Sequence, residues 1–320
     1  MDRKELAIMH LTIPSKQSIN GSHLVGASLF NSFRTLSKDK LTPCSLFHGN
    51  CHKILEQWKT EIGVPFQCAV TSPPYWGLRD YQNSEQGQQL GAESAPEAFI
   101  EKLVEIFSAV REVLADDGVL WLNVGDSYTS GNRGWRAPDS KNKHRAMSYR
   151  PSNPPGLKDK ELIGIPWKIA AALQASGWYL RSEIIWNKPN CQPESVKDRP
   201  TRSHEQLFMF TKQEDYYYDY EFSRLGGRNL RTVWDINTQP VSGDHPATFP
   251  IALADRCIRL TSKPGQFVLD PFVGSGSTCI AATQHGRNAV GIDVKKSYLD
   301  VALKRLRSNK ILLNGKLSLR

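Results

Sequence analysis

The chain has 320 residues, is 39% hydrophobic and carries a formal net charge of +9. That length supports one large α/β domain or two small ones, and the basic balance suits either a polyanionic partner such as nucleic acid or a solvated basic surface. No apolar run reaches the roughly 18 residues of a membrane span, the opening "MDRKELAIMHLTIPSKQS" has no signal-peptide core, and six scattered cysteines form no C-x-x-C pair. Membrane, secreted and zinc-dependent classes are therefore set aside, and a cytoplasmic protein without metal is expected.

Residues 1–42 are polar and weakly patterned, and they are read as an N-terminal extension to a main domain over 43–320. A strand is predicted over 45–49, a helix around 54–58, and a second strand over 66–70. That strand runs into "TSPPYWGLRDY" (71–81). The clearest helix is predicted over 94–115. Ser94 and Glu97 have capping-box spacing, Pro96 sits in the first turn, and Phe99, Leu103, Ile106, Val110 and Val113 build one apolar face. Asp117-Gly118 should end it before a strand over 119–124.

Residues 127–158 are rich in Ser, Asn, Gly, Pro and basic side chains, a composition that cannot supply a core. A helix follows over 166–176, then strands over 179–186 and 206–211. Residues 187–204 and 222–246 read as irregular. The last segment alternates: helix 250–261, strand 266–270, glycine turn, helix 277–285, strand 288–293 and helix 297–308. Helices alternating with apolar strands predict a doubly wound, mainly parallel α/β sheet.

The strongest ligand signal is "QFVLDPFVGSGSTCIAATQHGRNAVGIDV" (266–294). An apolar strand ends in Asp270-Pro271-Phe272. Gly274 and Gly276 let the backbone turn tightly and approach a ligand, and a helix then starts with free amides facing it. The next strand ends in Asp293, where an acid can accept both hydroxyls of a ribose. A structural glycine turn would look similar locally, but the strand–turn–helix–strand–acid order points to a nucleoside cofactor. Cys279 stands where a dinucleotide fold needs its third glycine, and no P-loop lysine follows.

Ligands of an open α/β sheet gather beyond the carboxyl ends of its strands, and Ser72-Pro73-Pro74-Tyr75 is expected at such an end. Pro73 and Pro74 stiffen the backbone and lack amide hydrogens, so the segment presents carbonyls and one hydroxyl. Rigid acceptors suit a group with two donor hydrogens, such as an exocyclic amine. Tyr75 offers a face for a base, and Trp76 a second; a target base must leave the duplex to reach them. The plainer alternative is a proline-stiffened turn with packed aromatics.

With these motifs in view, the chain resembles the S-adenosylmethionine-dependent DNA amino-methyltransferases. "TSPPY" looks like their catalytic [DNS]PP[YFW] motif, "DPFVGSGST" like their cofactor motif, and "HPATFP" (245–250) like the segment that completes the cofactor pocket. "GWYLRSEIIWNKPN" (177–190) and "RSHEQLFMFTK" (202–212) resemble family segments of the sheet. The resemblance spans about residues 45–310, in the motif order of the family's beta group. It implies a Rossmann-like, mostly parallel seven-stranded sheet with DNA-recognition insertions at 127–158 and 191–245.

By that resemblance Ser72, Pro73, Pro74 and Tyr75 are catalytic. Asn50, Phe249, Pro250, Asp270, Phe272, Gly274, Gly276, Ser277 and Asp293 bind S-adenosyl-L-methionine. Ser in the first motif position implies N4 of cytosine, with N6 of adenine as the alternative. An RNA or protein amino-methyltransferase and a non-catalytic DNA-binding module remain further readings. Double-stranded DNA is the expected partner, contacted by Trp76, Arg79, Lys141, Lys143, Arg145 and Arg228. A restriction-modification or phage setting would add a cognate endonuclease; the oligomeric state, monomer or homodimer, is open.

Overall fold

A computed structural model describes residues 44–61, 65–77, 90–129, 152–224, 227–239 and 249–309, together with the backbone of 27–30. The chain order is β1 (Ala27–Phe30), β2 (Cys44–His48), α1 (Cys51–Glu61), β3 (Phe66–Thr71), α2 (Pro96–Val113), β4 (Leu114–Val124), α3 (Ile165–Ala175) and β5 (Tyr179–Asn187). It continues with β6 (His204–Thr211), α4 (Tyr220–Ser223), β7 (Val233–Asp235), α5 (Ile251–Thr261), β8 (Phe267–Asp270), α6 (Ser277–Gln284), β9 (Asn288–Asp293) and α7 (Lys296–Ser308).

Among the described residues these strands form one sheet in the order β1-β2-β9-β8-β3-β4-β6-β5-β7. The expected seven strands are the inner ones, and two short strands widen the sheet to nine. One is β1, which pairs in parallel with β2 and lies inside the segment read as an extension. The other is β7, which pairs in parallel with β5 inside a segment read as irregular. Three residues around one buried aromatic, Trp234, are too short to show a period. Only β6 runs against its neighbours.

The sheet is covered on both faces, as a mostly parallel sheet requires. On one side Ile54 of α1, Phe99 and Leu103 of α2 and Ile169 of α3 pack on Ala69, Leu120, Leu122, Phe208 and Phe210. On the other, Leu253 of α5, Ile280 of α6 and Leu299 of α7 pack on Cys68, Val70, Trp121 and Met209. The two sets alternate along β3, β4 and β6, following the two-residue period of a strand. Each fully buried large side chain contributes about 1.5–3 kcal/mol of transfer free energy.

Two local expectations are corrected. The N-cap of α2 is Ala95, not Ser94, and it makes no side-chain cap bond; Pro96 opens the helix, its fixed φ suited to the first position. Asp117-Gly118 does not end that helix. It ends at Val113, the chain is extended from Leu114, and Asp117-Gly118 lies where the register against β3 shifts between Phe66 and Cys68.

The strand order reverses between β8 and β3, which pair in parallel through Cys68 with Val268 and Ala69 with Leu269. Such a reversal opens a crevice at the carboxyl ends of the two strands. "SPPY" follows β3 and "PFVGSG" follows β8, so the fold brings two motifs about 200 residues apart to one crevice.

Candidate active site

The two motifs are pinned together from below. Thr71 Oγ1 donates to Asp270 Oδ1 at 2.6 Å, and Thr278 Oγ1 donates to Asp270 Oδ2 at 2.6 Å. The Phe272 amide adds a third bond to Oδ1 at 3.1 Å. Asp270 is buried, and burial pushes its carboxyl up to about 6 against the pull of these three donors. Its oxygens thus tie the ends of β3 and β8 and the first turn of α6 together.

The turn itself needs glycine. Gly274 and Gly276 have φ of +47° and +83°, in the left-handed region. A Cβ on Gly276 would also lie 3.0 Å from Ala302 Cβ of α7. Gly276 caps α6, whose first residue, Ser277, accepts a bond from Arg305 Nη1 at 3.3 Å; the same nitrogen donates to the Ser275 carbonyl at 2.7 Å. Asp293, at the end of β9, accepts the Gly274 amide on Oδ2 at 2.9 Å and the Lys295 amide on Oδ1 at 2.8 Å. Burial pushes this carboxyl, too, up to about 6.

Four predicted residues complete this half. Asn50 Oδ1 accepts the Lys53 amide at 3.2 Å, capping α1. Its neighbour Gly49 donates its amide to the Asp293 carbonyl at 2.9 Å, which brings the end of β2 beside the turn. Phe272 is half-buried and meets Phe107 edge-on, with ring centres 6.4 Å apart. Phe249 joins the same apolar cluster as Val273, and Pro250 stands at the start of α5. The rest of "HPATFP" lies outside the described residues.

The other half is built on Tyr75. Its ring lies so close to Gly125 that a Cβ there would be 2.5 Å from Tyr75 Cε2. The Tyr75 hydroxyl donates to Glu205 Oε2 at 2.8 Å and accepts from Asn123 Nδ2 at 3.0 Å and from Ser72 Oγ at 3.3 Å. Asn123 Nδ2 donates also to Glu205 Oε2 at 2.8 Å, and Lys188 Nζ pairs with Glu205 Oε1. Burial pushes the Glu205 carboxyl up, but the Lys188 charge and the bonds from Lys188, Asn123 and Tyr75 together outweigh it and hold the group below the usual carboxylate range.

Gly125, Asn123, Lys188 and Glu205 were not singled out from sequence. The available signal was charge at the tips of apolar strands: Lys188 directly follows β5, and Glu205 precedes the buried run of β6. Because β6 is antiparallel, its beginning reaches the edge where β4 and β5 end.

Trp76 is corrected. It is 4% exposed, packs in the core with Trp58 and Phe99, and donates Nε1–H to the Glu93 carbonyl at 2.9 Å. Glu93 also accepts the Gly91 amide at 2.8 Å and pairs with Lys102 at 2.9 Å, fixing the return of the chain beside the motif. Arg228 is exposed beyond α4. Arg79, Lys141, Lys143 and Arg145 lie outside the described residues. Among the described residues no cluster could hold a metal, and no helix is long and apolar enough to cross a membrane.

Residues 66–304, which contain both motifs and every strand from β3 to β9, match the N6/N4 DNA methylase family. The chain belongs to that family. This bears out the resemblance to S-adenosylmethionine-dependent DNA amino-methyltransferases read from the motifs.

The chain is 55% identical to the Type II methyltransferase M.Cfr9I of Citrobacter freundii over 273 residues, 84% of this chain and 89% of that one. It is 50% identical to the Type II methyltransferase M.SmaI of Serratia marcescens over 291 residues, 89% and 98% of the two chains. In fold it is similar to the cytosine-N4-specific PvuII DNA methyltransferase, with a TM-score of 0.60 at 18% identity over 85% of this chain and 93% of that one. It is likewise similar to the M1.HpyAVI–SAM complex, with a TM-score of 0.54 at 18% identity over 82% and 99%.

Proposed function

We propose that this DNA methylase transfers a methyl group from S-adenosyl-L-methionine to N4 of a cytosine flipped out of double-stranded DNA. The observation that carries the reading is the Ser72–Tyr75 arrangement at the end of β3. A rigid, proline-fixed hydroxyl and an aromatic ring stand across the strand-order reversal from the glycine turn.

The residues fit the methyl donor. Asp293 is a partly desolvated carboxylate held by neutral main-chain amides, an acceptor suited to the hydroxyls of a ribose. The glycine turn lets the ligand approach the backbone, and the first amides of α6 add donors. Asn50, Phe272, Phe249 and Pro250 would border the adenine and methionine parts, with Ser277 beside the turn. Bound there, S-adenosyl-L-methionine supplies an electrophilic methyl on a sulfonium.

The chain's own part is positioning and acceptance. Ser72 Oγ and the Pro73 carbonyl accept the hydrogens of the target amine. That draws its nitrogen out of conjugation with the ring and frees the lone pair. Tyr75, pressed against Gly125, offers its other face for stacking, worth about 1–3 kcal/mol per base. A hydroxyl at position 72 in place of a carboxylate favours cytosine over adenine. Arg228 and the insertions at 127–158 and 191–245 are assigned to DNA.

The Type II names of the relatives support a setting beside a restriction endonuclease that reads the same DNA sequence. Incubating the protein with methyl-labelled cofactor and duplex DNA, then digesting to nucleosides, tests the reading. The expected product is 4-methylcytosine. 6-Methyladenine would move the protein to the adenine branch, and an unlabelled digest would refute DNA methylation.

A further inference from the structure

The hydrogen bonds around Tyr75 run in one direction and end on a charge. Ser72 Oγ donates to Tyr75 Oη, and Tyr75 Oη donates to Glu205 Oε2. Asn123 fixes that sense: its Nδ2 hydrogens fork to Tyr75 Oη and Glu205 Oε2. Turning the amide over would set its oxygen against the carboxylate. A serine hydroxyl has a single hydrogen, and here it is committed to Tyr75. Ser72 therefore presents lone pairs to the crevice, and each bond in such a chain strengthens the next.

We propose that Glu205, acting through the Tyr75 hydroxyl, makes Ser72 an obligate acceptor and takes up the proton released when the target amine is methylated. Resting on the amine-methylation reading above, the step balances. The nitrogen gains a bond to the methyl carbon as the carbon–sulfur bond of the donor breaks, its electron pair staying on sulfur, and the nitrogen becomes cationic; its N–H then breaks and that proton forms a new O–H on Ser72. The former Ser72 hydrogen passes to Tyr75 Oη, and the former Tyr75 hydrogen passes to Glu205, which ends as a neutral carboxyl. A base that is cationic at its exocyclic nitrogen has lost that nitrogen's conjugation with the electron-poor ring and regains it on losing the proton. It is therefore a far stronger acid than a carboxyl group, and the transfer runs downhill even to a carboxylate held low by Lys188.

Lys188 keeps the acceptor charged until it is needed. Of the other titratable groups near Glu205, His204 beside it on β6 is held below the usual imidazole range by burial and by the Arg202 and Lys188 charges, so it stays neutral at neutral pH, while Arg202 just before that strand carries positive charge. Glu205 is a positioning residue in this scheme, because it reaches the target only through Tyr75 and Ser72. A purely structural Glu205 would be replaced well by glutamine, which keeps the shape and one acceptor.

Single-turnover methyl transfer across pH separates the two. In E205Q we expect the rate to fall about 10²-fold or more, the usual worth of a positioned proton acceptor, with cofactor and DNA affinities within a few-fold of wild type. Y75F, which keeps the ring and breaks the chain, should lose a similar factor; it carries the test alone if E205Q does not fold. K188M should move the acidic limb of the rate profile to higher pH, because it removes the charge that favours ionised Glu205. Near-wild-type rates in E205Q or Y75F, or an acidic limb unmoved by K188M, would overturn the relay while leaving the methylation reading intact. A wild-type protein that makes no methylated DNA would overturn both.

Discussion

The two halves of the crevice solve the same problem, holding carboxylates at a strand edge, in opposite ways. At the β8–β9 end, Asp270 and Asp293 are held by hydroxyls and main-chain amides, and burial lifts each to about 6. At the β4–β6 end, Glu205 is paired with Lys188, and that charge together with the bonds from Lys188, Asn123 and Tyr75 outweighs the burial. The signs for stability follow. Folded Asp270 and Asp293 hold their protons more tightly than the unfolded chain does. Between about 6 and 3.8 the folded state therefore gains relative stability as pH falls. Glu205 does the reverse: it contributes stability at neutral pH that is lost as pH falls through its lowered value. A site whose ligand offers hydroxyl donors can carry raised carboxyls, because those donors supply further hydrogen bonds. A site that must receive a proton needs its carboxylate charged beforehand.

If the halves are separable, damage to one should spare the other. The largest effect is expected from Tyr75→Ala, which removes the stacking face and breaks the chain from Ser72 to Glu205. Methyl transfer should fall more than about 10²-fold while cofactor affinity, read by calorimetry, stays put. Equal losses in both would merge the halves. Asp293→Ala should weaken cofactor binding about 10- to 100-fold, the worth of hydrogen bonds to a charged group, and an unchanged dissociation constant would contradict its assignment.

A subtler effect is the pH dependence of that binding. Hydroxyl donors need the ionised carboxylate, so cofactor affinity should decline as pH drops through about 6, and Asp293→Asn should flatten the decline. Gly276→Ala should cost about 1–3 kcal/mol in denaturant unfolding, from the left-handed backbone and the contact with Ala302, and no cost would mean that the turn relaxes freely.

The contrast between the halves also explains what could be read in advance. The glycine turn, its strands and Asp293 lie within one continuous segment, so their spacing carries the geometry. All seven inner strands were legible, because alternating buried faces and helical periods are local patterns. The Tyr75 network draws Ser72, Asn123, Lys188 and Glu205 from the ends of four strands, and only the β3–β4–β6–β5 pairing brings them together. No spacing along the chain encodes that meeting. Trp76 misled for a related reason. An aromatic beside a binding motif looks available, and only the fold reveals that Glu93 draws its N–H into the core. Asp270 was legible as a site residue, but its part as a clamp between Thr71 and Thr278 depends on β3 and β8 being neighbours.

The most direct measurement is made on one preparation of Ser72→Ala: calorimetric titration with S-adenosyl-L-methionine, followed by single-turnover transfer to duplex DNA. The proposed roles predict a wild-type dissociation constant together with a transfer rate about 10²–10³-fold lower, the loss expected when one transition-state contact is removed. Wild-type turnover, or loss of cofactor binding, would contradict the division of the crevice into a donor half and an acceptor half.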